Sequence, residues 1–141
     1  MPEQLEMALR LLLAAILSAI IGFQRERAGK PAGVRTLGLI GLGSALFAVI
    51  SATGFKEADL SRIAAGVVTG IGFLGAGAIL RRHDGVEGLT TAAAIWVTAG
   101  IGMAAGAGLY LFAVVVTVIV ILILLIPHIP PPITPPGTGK E

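Results

Sequence analysis

The chain has no cysteine, which excludes disulfides and thiolate metal sites. Charge is scarce as well: 13% of its 141 residues are Asp, Glu, Lys or Arg, against about 25% in an ordinary soluble domain. The histidines are His83 and His128, both outside the apolar segments. No H-E-x-x-H and no G-x-S-x-G occurs, so metalloprotease and serine-hydrolase chemistry have no parts to work with. Ser44 follows Gly43, but nothing in its segment would orient a base on that hydroxyl. An enzyme is not expected.

What the chain has in quantity is apolar length. Hydrophobic residues make up 55% of it, and the mean hydropathy is +0.94. The few charges cluster, and the runs between them approach the ~20 residues a helix needs to cross a bilayer. The expected fold is an all-α integral membrane protein, a bundle of about five transmembrane helices. The domain covers residues 1–126, with spans near 5–23, 37–53, 63–80, 89–104 and 109–126. Residues 127–141 hold six of the eight prolines and form an extended tail without core-forming capacity. A cleavable signal peptide is not expected. Glu3 and Glu6 precede the first apolar run in place of Lys or Arg, and no A-x-A site follows.

Orientation follows from the basic residues. Arg25, Arg27, Lys30 and Arg35 share one short segment, and Arg81 and Arg82 open another. By the positive-inside rule both are cytoplasmic, which puts the N-terminus outside and the C-terminus inside. Lys56 and Arg62 are balanced by Glu57 and Asp59, as an external loop tolerates. Residues 89–126 carry no charge over 38 positions. That is too long for one span, so the glycine-rich segment 102–108 is expected to turn the chain, with Tyr110 at the outer interface.

Small residues recur at helical spacing. Ala14, Ser18 and Gly22 form one stripe, and Ser44, Ala48 and Ala52 form another. Such stripes let helices approach closely in a membrane. The third span is the most extreme, with five glycines in residues 66–80. At 100° per residue Gly66, Gly70, Phe73 and Gly77 share a face, and Gly72 and Gly75 lie nearly opposite. This pattern predicts a central helix, or one face for the bundle and one for a second copy. Thr90 or Thr91 is expected to cap the fourth span.

Polar candidates are few. Arg10 sits inside the first span, either snorkelling and pairing with Glu6 one turn back or lining a polar cavity. His83, Asp84 and Glu87 form a solvated turn or, with Glu26 on the same side, weak ligands for a hard cation such as Mg²⁺. Glu26 lies among three arginines, where an ion-pair network is expected. Gly70-Ile-Gly-Phe-Leu-Gly75 matches G-x-G-x-x-G, but it lacks the βαβ context that gives the pattern meaning. Gly137-Thr-Gly-Lys140 lacks the first glycine and last hydroxyl of a phosphate loop.

Three stretches taken together carry a family resemblance. They are Gly22-Phe-Gln-Arg-Glu-Arg27 through Lys30-Pro-Ala-Gly-Val-Arg-Thr36, Gly70-Ile-Gly-Phe-Leu-Gly-Ala-Gly-Ala-Ile-Leu80, and Gly88-Leu-Thr-Thr-Ala-Ala-Ala-Ile-Trp96. In order and spacing the chain resembles the MgtC/SapB family of bacterial inner-membrane proteins over nearly all of residues 5–126. The resemblance implies about five transmembrane helices and a role in adaptation to low magnesium and, in pathogens, in survival inside host cells. It points to Glu26, Arg27, Gly33, Arg35, Thr36, Gly70, Gly72, Gly75, Gly77, Thr90, Thr91 and Trp96. Many members have Glu where this chain has Gln24, which keeps hydrogen bonding and loses the charge. Some members add a cytoplasmic C-terminal domain where this chain has its proline tail.

Two functions are expected as alternatives. One is a non-enzymatic protein acting by helix contact, as a homodimer and with another inner-membrane protein such as the ATP synthase. The other is a small-cation (Mg²⁺) or solute transporter. The expected partner besides protein is the lipid bilayer. No nucleic acid and no cofactor are expected, Mg²⁺ aside.

Overall fold

The computed structural model describes residues 2–54, 59–82 and 85–127. The chain forms α1 (Glu3–Arg27), α2 (Val34–Thr53), α3 (Leu60–Gly77), a hairpin of β1 (Leu80–Arg82) and β2 (Gly85–Glu87), α4 (Leu89–Gly106) and α5 (Tyr110–Leu124). It is an all-α bundle of the kind a membrane protein builds, with α1, α2 and α4 long and apolar enough to cross a bilayer. Helices α3 and α5 are apolar and shorter; the 15 residues of α5 span about 22 Å at 1.5 Å per residue. Lys56, Glu57, His83, Asp84 and residues 128–141 lie outside the described residues.

Turn chemistry sets the helix ends. Helix α1 runs beyond the expected Phe23 to Arg27, because Arg25 and Arg27 suit a helix C-terminus. It stops at a Schellman turn: Gly29 has φ +64, its N–H donates to Glu26 O, and Lys30 N–H donates to Arg25 O. The same turn ends α4, where Gly108 has φ +82, its N–H meets Ala105 O and Leu109 N–H meets Ala104 O. The glycine turn expected between the fourth and fifth spans over residues 102–108 is confined to residues 107–109, and Gly102 to Gly106 remain helical in α4. Helix α2 starts earlier than expected, at Val34. Helix α3 ends at Gly77, not Leu80, and the chain enters an antiparallel hairpin pairing Leu80 with Glu87. Neither threonine caps α4. The N-cap is Gly88 at φ +88, with no side-chain cap, because a Cβ there would collide with Ala78 O.

The expectation that the third span is central needs correction. Helix α4 is central, touching α1, α2, α3 and α5. The reason lies in which glycines are filled. A Cβ on Gly22 would lie 2.6 Å from the Val34 backbone, and one on Gly106 would lie 2.5 Å from Ala45 O. A Cβ on Gly41 would strike the Ser18 side chain, and one on Gly102 would strike the Gly41 carbonyl. Helices α1, α2 and α4 therefore meet backbone to backbone, and the stripe Ala14–Ser18–Gly22 is buried as its spacing predicts. In the second stripe Ser44 is buried, Ala48 is half-buried and Ala52 is exposed.

Helix α3 lies at the edge, on α4 and α2. Its inner face is Val67, Ile71 and Gly75, with Gly75 against Ala92 of α4. Nothing lies within 4 Å of a Cβ placed on Gly66, Gly70, Gly72 or Gly77. Helix α5 turns Ala113, Thr117 and Val120 inward and exposes most of its remaining apolar residues, as a lipid-facing helix does.

These contacts make two predictions. Gly102→Leu should destabilise the bundle by at least the ~1–3 kcal/mol of ordinary overpacking, while Gly72→Ala should be neutral or stabilising; thermal unfolding in mild detergent compares them. The second concerns Asp59, which caps α3. Its carboxylate accepts from Ser61 Oγ at 2.6 Å and from Ser61 N–H at 2.9 Å, and these bonds hold its pKa below the usual value. A carboxyl depressed by folding stabilises fully above its ordinary pKa, and that contribution is lost as pH falls through the lower folded value. Asp59→Asn should therefore flatten this acid limb of the melting-temperature profile.

Candidate functional site

The polar groups of the bundle fall at its two ends and in one layer between them. At the first end Arg10 donates to Glu6 Oε1, to Tyr110 Oη at 3.1 Å and to Gly106 O at 3.2 Å. Tyr110 Oη also donates to Glu6 Oε1 at 3.2 Å. Arg10 thus pairs with Glu6 as expected, and in addition clamps the α4–α5 turn.

At the other end the last turn of α1 meets the first turns of α2 and α4 and the end of α5. Glu26 Oε1 accepts the Val34 N–H at 2.9 Å, so it caps α2 from eight residues upstream. Gly33 is the N-cap residue of α2, and a Cβ there would collide with the Glu26 carboxylate. Among the described residues Glu26 makes no ion pair, and in place of the expected network it caps the backbone, because Val34 N–H is an orphan donor of α2's first turn. Gln24 Nε2 donates to Leu124 O at 3.4 Å. An ionised Glu there could not make that bond, which gives a physical reason for the amide in this chain.

Arg25 is the residue that sequence reasoning missed. It is 4% exposed, donates from Nη2 to Thr91 Oγ1 and from Nε to Pro31 O at 3.3 Å. In the sequence it looked like one of several topogenic cations. The available signal was its place three residues past Gly22 on the buried face of α1.

The remaining motif residues do not form one cluster. Arg27 stacks over Phe23 at 5.8 Å, while Arg35, Thr36 and Thr90 are exposed. Trp96 is 55% exposed and borders a cavity of about 270 Å³ shared with Val68 and Phe112. Gly70, Gly72 and Gly77 face outward, and Gly75 alone of that set is buried. As for metal, no group of three or more His, Asp or Glu occurs among the described residues. Asp84 is outside them, Glu87 lies on β2, and Glu26 is committed to Val34.

Helix register defines the layer between the ends. Arg10–Gly106 and Arg25–Thr91 align α1 with α4 antiparallel. Arg10–Tyr110 and Gln24–Leu124 align α1 with α5 in parallel. Ser18, Thr98 and Thr117 consequently lie at one level, near mid-bundle. Ser18 and Thr98 are both 0% exposed, and their hydroxyl oxygens have no hydrogen-bond partner. Thr117 donates to Ala113 O at 2.7 Å.

The MgtC family model matches residues 11–129. This chain belongs to the MgtC family. Among curated proteins it is 55% identical over 113 residues to the Putative magnesium transporter YhiD of Escherichia coli K12, covering 74% of this chain and 53% of that protein. It is 43% identical over 122 residues to Protein SrpB of Synechococcus elongatus, covering 77% and 67%. It is 46% identical over 102 residues to Protein MgtC of Salmonella typhimurium, covering 72% and 44%. The chain spans about half the length of YhiD and MgtC. No solved structure matches it. The family match takes in every polar contact described at the Arg25 end, from Gln24 to Leu124.

The Glu26 cap can be tested in this MgtC-family bundle. Glu26→Ala should cost about 1 kcal/mol, the usual worth of an N-cap, and Glu26→Gln should retain most of it. Thermal unfolding in detergent reads both; equal losses would show that the charge matters and the acceptor does not.

Proposed function

We propose that this MgtC-family chain is a non-enzymatic, multi-pass protein of the bacterial inner membrane that serves adaptation to low magnesium. In this reading it acts by helix contact, as a homodimer and with another inner-membrane protein such as the ATP synthase. In a pathogen the same role supports survival inside host cells. Family membership and the relatives' names support the magnesium setting.

The observation that carries helix contact is the outward side of α3. An open groove of about 520 Å³ runs between α2 and α3, lined by Leu39, Gly43, Phe47, Gly66, Gly70 and Leu74 among others. Glycines inside the bundle are filled by a neighbouring backbone, and those on this side have open space. Helix association in lipid relies on close packing of small residues, so a glycine face left open within the chain suits a second helix. A C2 dimer would bring the same α3 face from each copy together.

A second reading, small-cation transport, is favoured by the name of the Escherichia coli relative and by the unpaired hydroxyls of Ser18 and Thr98 at mid-depth. Polar groups inside a membrane bundle often mark a solute path. Proteoliposome flux separates the two: Mg²⁺, H⁺ or Na⁺ flux above empty vesicles supports transport, and none supports the contact reading.

For the contact reading, the wild-type protein is expected to run as a dimer in mild detergent. Gly70→Leu and Gly77→Leu should shift it to monomer, as measured by light scattering coupled to size exclusion. An unchanged dimer would remove these glycines from the interface.

A further inference from the structure

Arg25 poses a problem of charge. A buried cation is normally paired with a carboxylate, since desolvating it alone is costly. The acceptors the structure gives Arg25 are Thr91 Oγ1 and Pro31 O, both neutral. Glu26, its neighbour in sequence, directs its Oε1 to Val34 N–H.

Among the described residues no carboxylate contacts the guanidinium. The C-terminal end of α1 contributes partial negative charge, but Thr91 places Arg25 against the N-terminal turn of α4, which contributes partial positive charge. That turn starts at Gly88 without a side-chain cap. Its first N–H to find a helical acceptor is that of Ala92, on Gly88 O at 2.9 Å, so the amides of Leu89, Thr90 and Thr91 remain as donors. Thr91 Oγ1 accepts from Arg25 and keeps its own O–H to donate. Thr90 is exposed beside it. Exposed Arg27, Lys30, Arg35 and Arg81 lie on the segments that frame this end, together with the carboxylates Glu26 and Glu87, so cations are in excess there. A helix start alone would be hydrated. Here it stands against a cation that is 96% buried and that, among the described residues, is given only neutral acceptors.

We propose that this end of the α1–α4 pair binds a phosphate-type oxyanion, held by the Arg25 guanidinium, the first-turn amides of α4 and the Thr90 and Thr91 hydroxyls. The chemistry fits a tetrahedral anion: a guanidinium matches phosphate geometry, and helix N-termini bind phosphate through their N–H groups. A phospholipid headgroup and free phosphate share this chemistry. The site is independent of the α3 face, so its failure would leave the helix-contact reading intact.

The test uses the full chain at constant ionic strength, because screening alone changes surface electrostatics. In neutral detergent, melting temperature is measured with inorganic phosphate against chloride. In nanodiscs, it is measured with phosphatidylglycerol against phosphatidylcholine. At least one anion should raise the wild-type melting temperature by several degrees. Phosphate acting in detergent indicates a free anion, and phosphatidylglycerol acting alone indicates a headgroup. The shift should vanish in Arg25→Gln and shrink by about half or more in Thr90→Val, while Arg62→Gln, distant on α3, keeps it. If Arg25→Gln does not fold, the exposed Thr90→Val decides the matter alone. A wild-type protein that responds to neither anion, or a full shift surviving in Thr90→Val and Arg25→Gln, overturns the proposal.

Discussion

The fold depends on backbone-to-backbone approach of α1, α2 and α4. Gly22 lets α1 meet the start of α2, Gly41 receives Ser18, and Gly102 lies against Gly41 in turn. In lipid the hydrophobic effect does not drive helices together, so packing and interhelical polar contacts must do so. Each glycine gives up helix propensity that would matter in water, and gains contact area that matters in a membrane. Everything else is hung on this triad: α5 closes over α1 and α4, and α3 leans on α4 through Gly75.

Polar chemistry follows from the same geometry. Once α1 and α4 are antiparallel and close, Arg10 and Arg25 each reach across to α4, at Gly106 and Thr91. The two arginines act as clamps at opposite ends of one helix pair, and they differ in charge balance. Arg10 has Glu6 beside it, whereas Arg25 has neutral acceptors. This difference separates a structural clamp from a candidate anion site. The register that satisfies both clamps also places Ser18 and Thr98, whose hydroxyls have no partner among the described residues, at one level.

Much of the architecture was legible in the sequence. Charge clusters and apolar run lengths mark five helices, the spacing of Ala14, Ser18 and Gly22 identifies the inner face of α1, and Gly108 marks the α4–α5 turn. The misreadings have a common physical origin. A glycine stripe shows that close approach is possible, but not which neighbour uses it. Gly66, Gly70 and Gly77 therefore read as central and lie outward, while Gly41 carries no signal, Gly102 and Gly106 read as turn residues, and all three hold the core. Glu26 among arginines suggested ion pairs, and a carboxylate eight residues from an uncapped helix start found the N–H of Val34. Strands of three residues carry too little pattern for the β1–β2 hairpin to show. Arg25 differs from Arg27 only in helical phase.

The central claim is that α3 has two distinct faces, one closed on α4 and one open to a partner helix. The absence of native cysteine makes oxidative cross-linking in membranes a direct test. A Cβ on Gly75 would lie 3.7 Å from the Ala92 Cβ, within disulfide range. The double variant Gly75→Cys/Ala92→Cys should close within one chain and run as a monomer on a denaturing gel, while Gly70→Cys alone should link two chains. A Gly75/Ala92 pair that stays reduced, or a Gly70 variant that never links copies, would contradict the account.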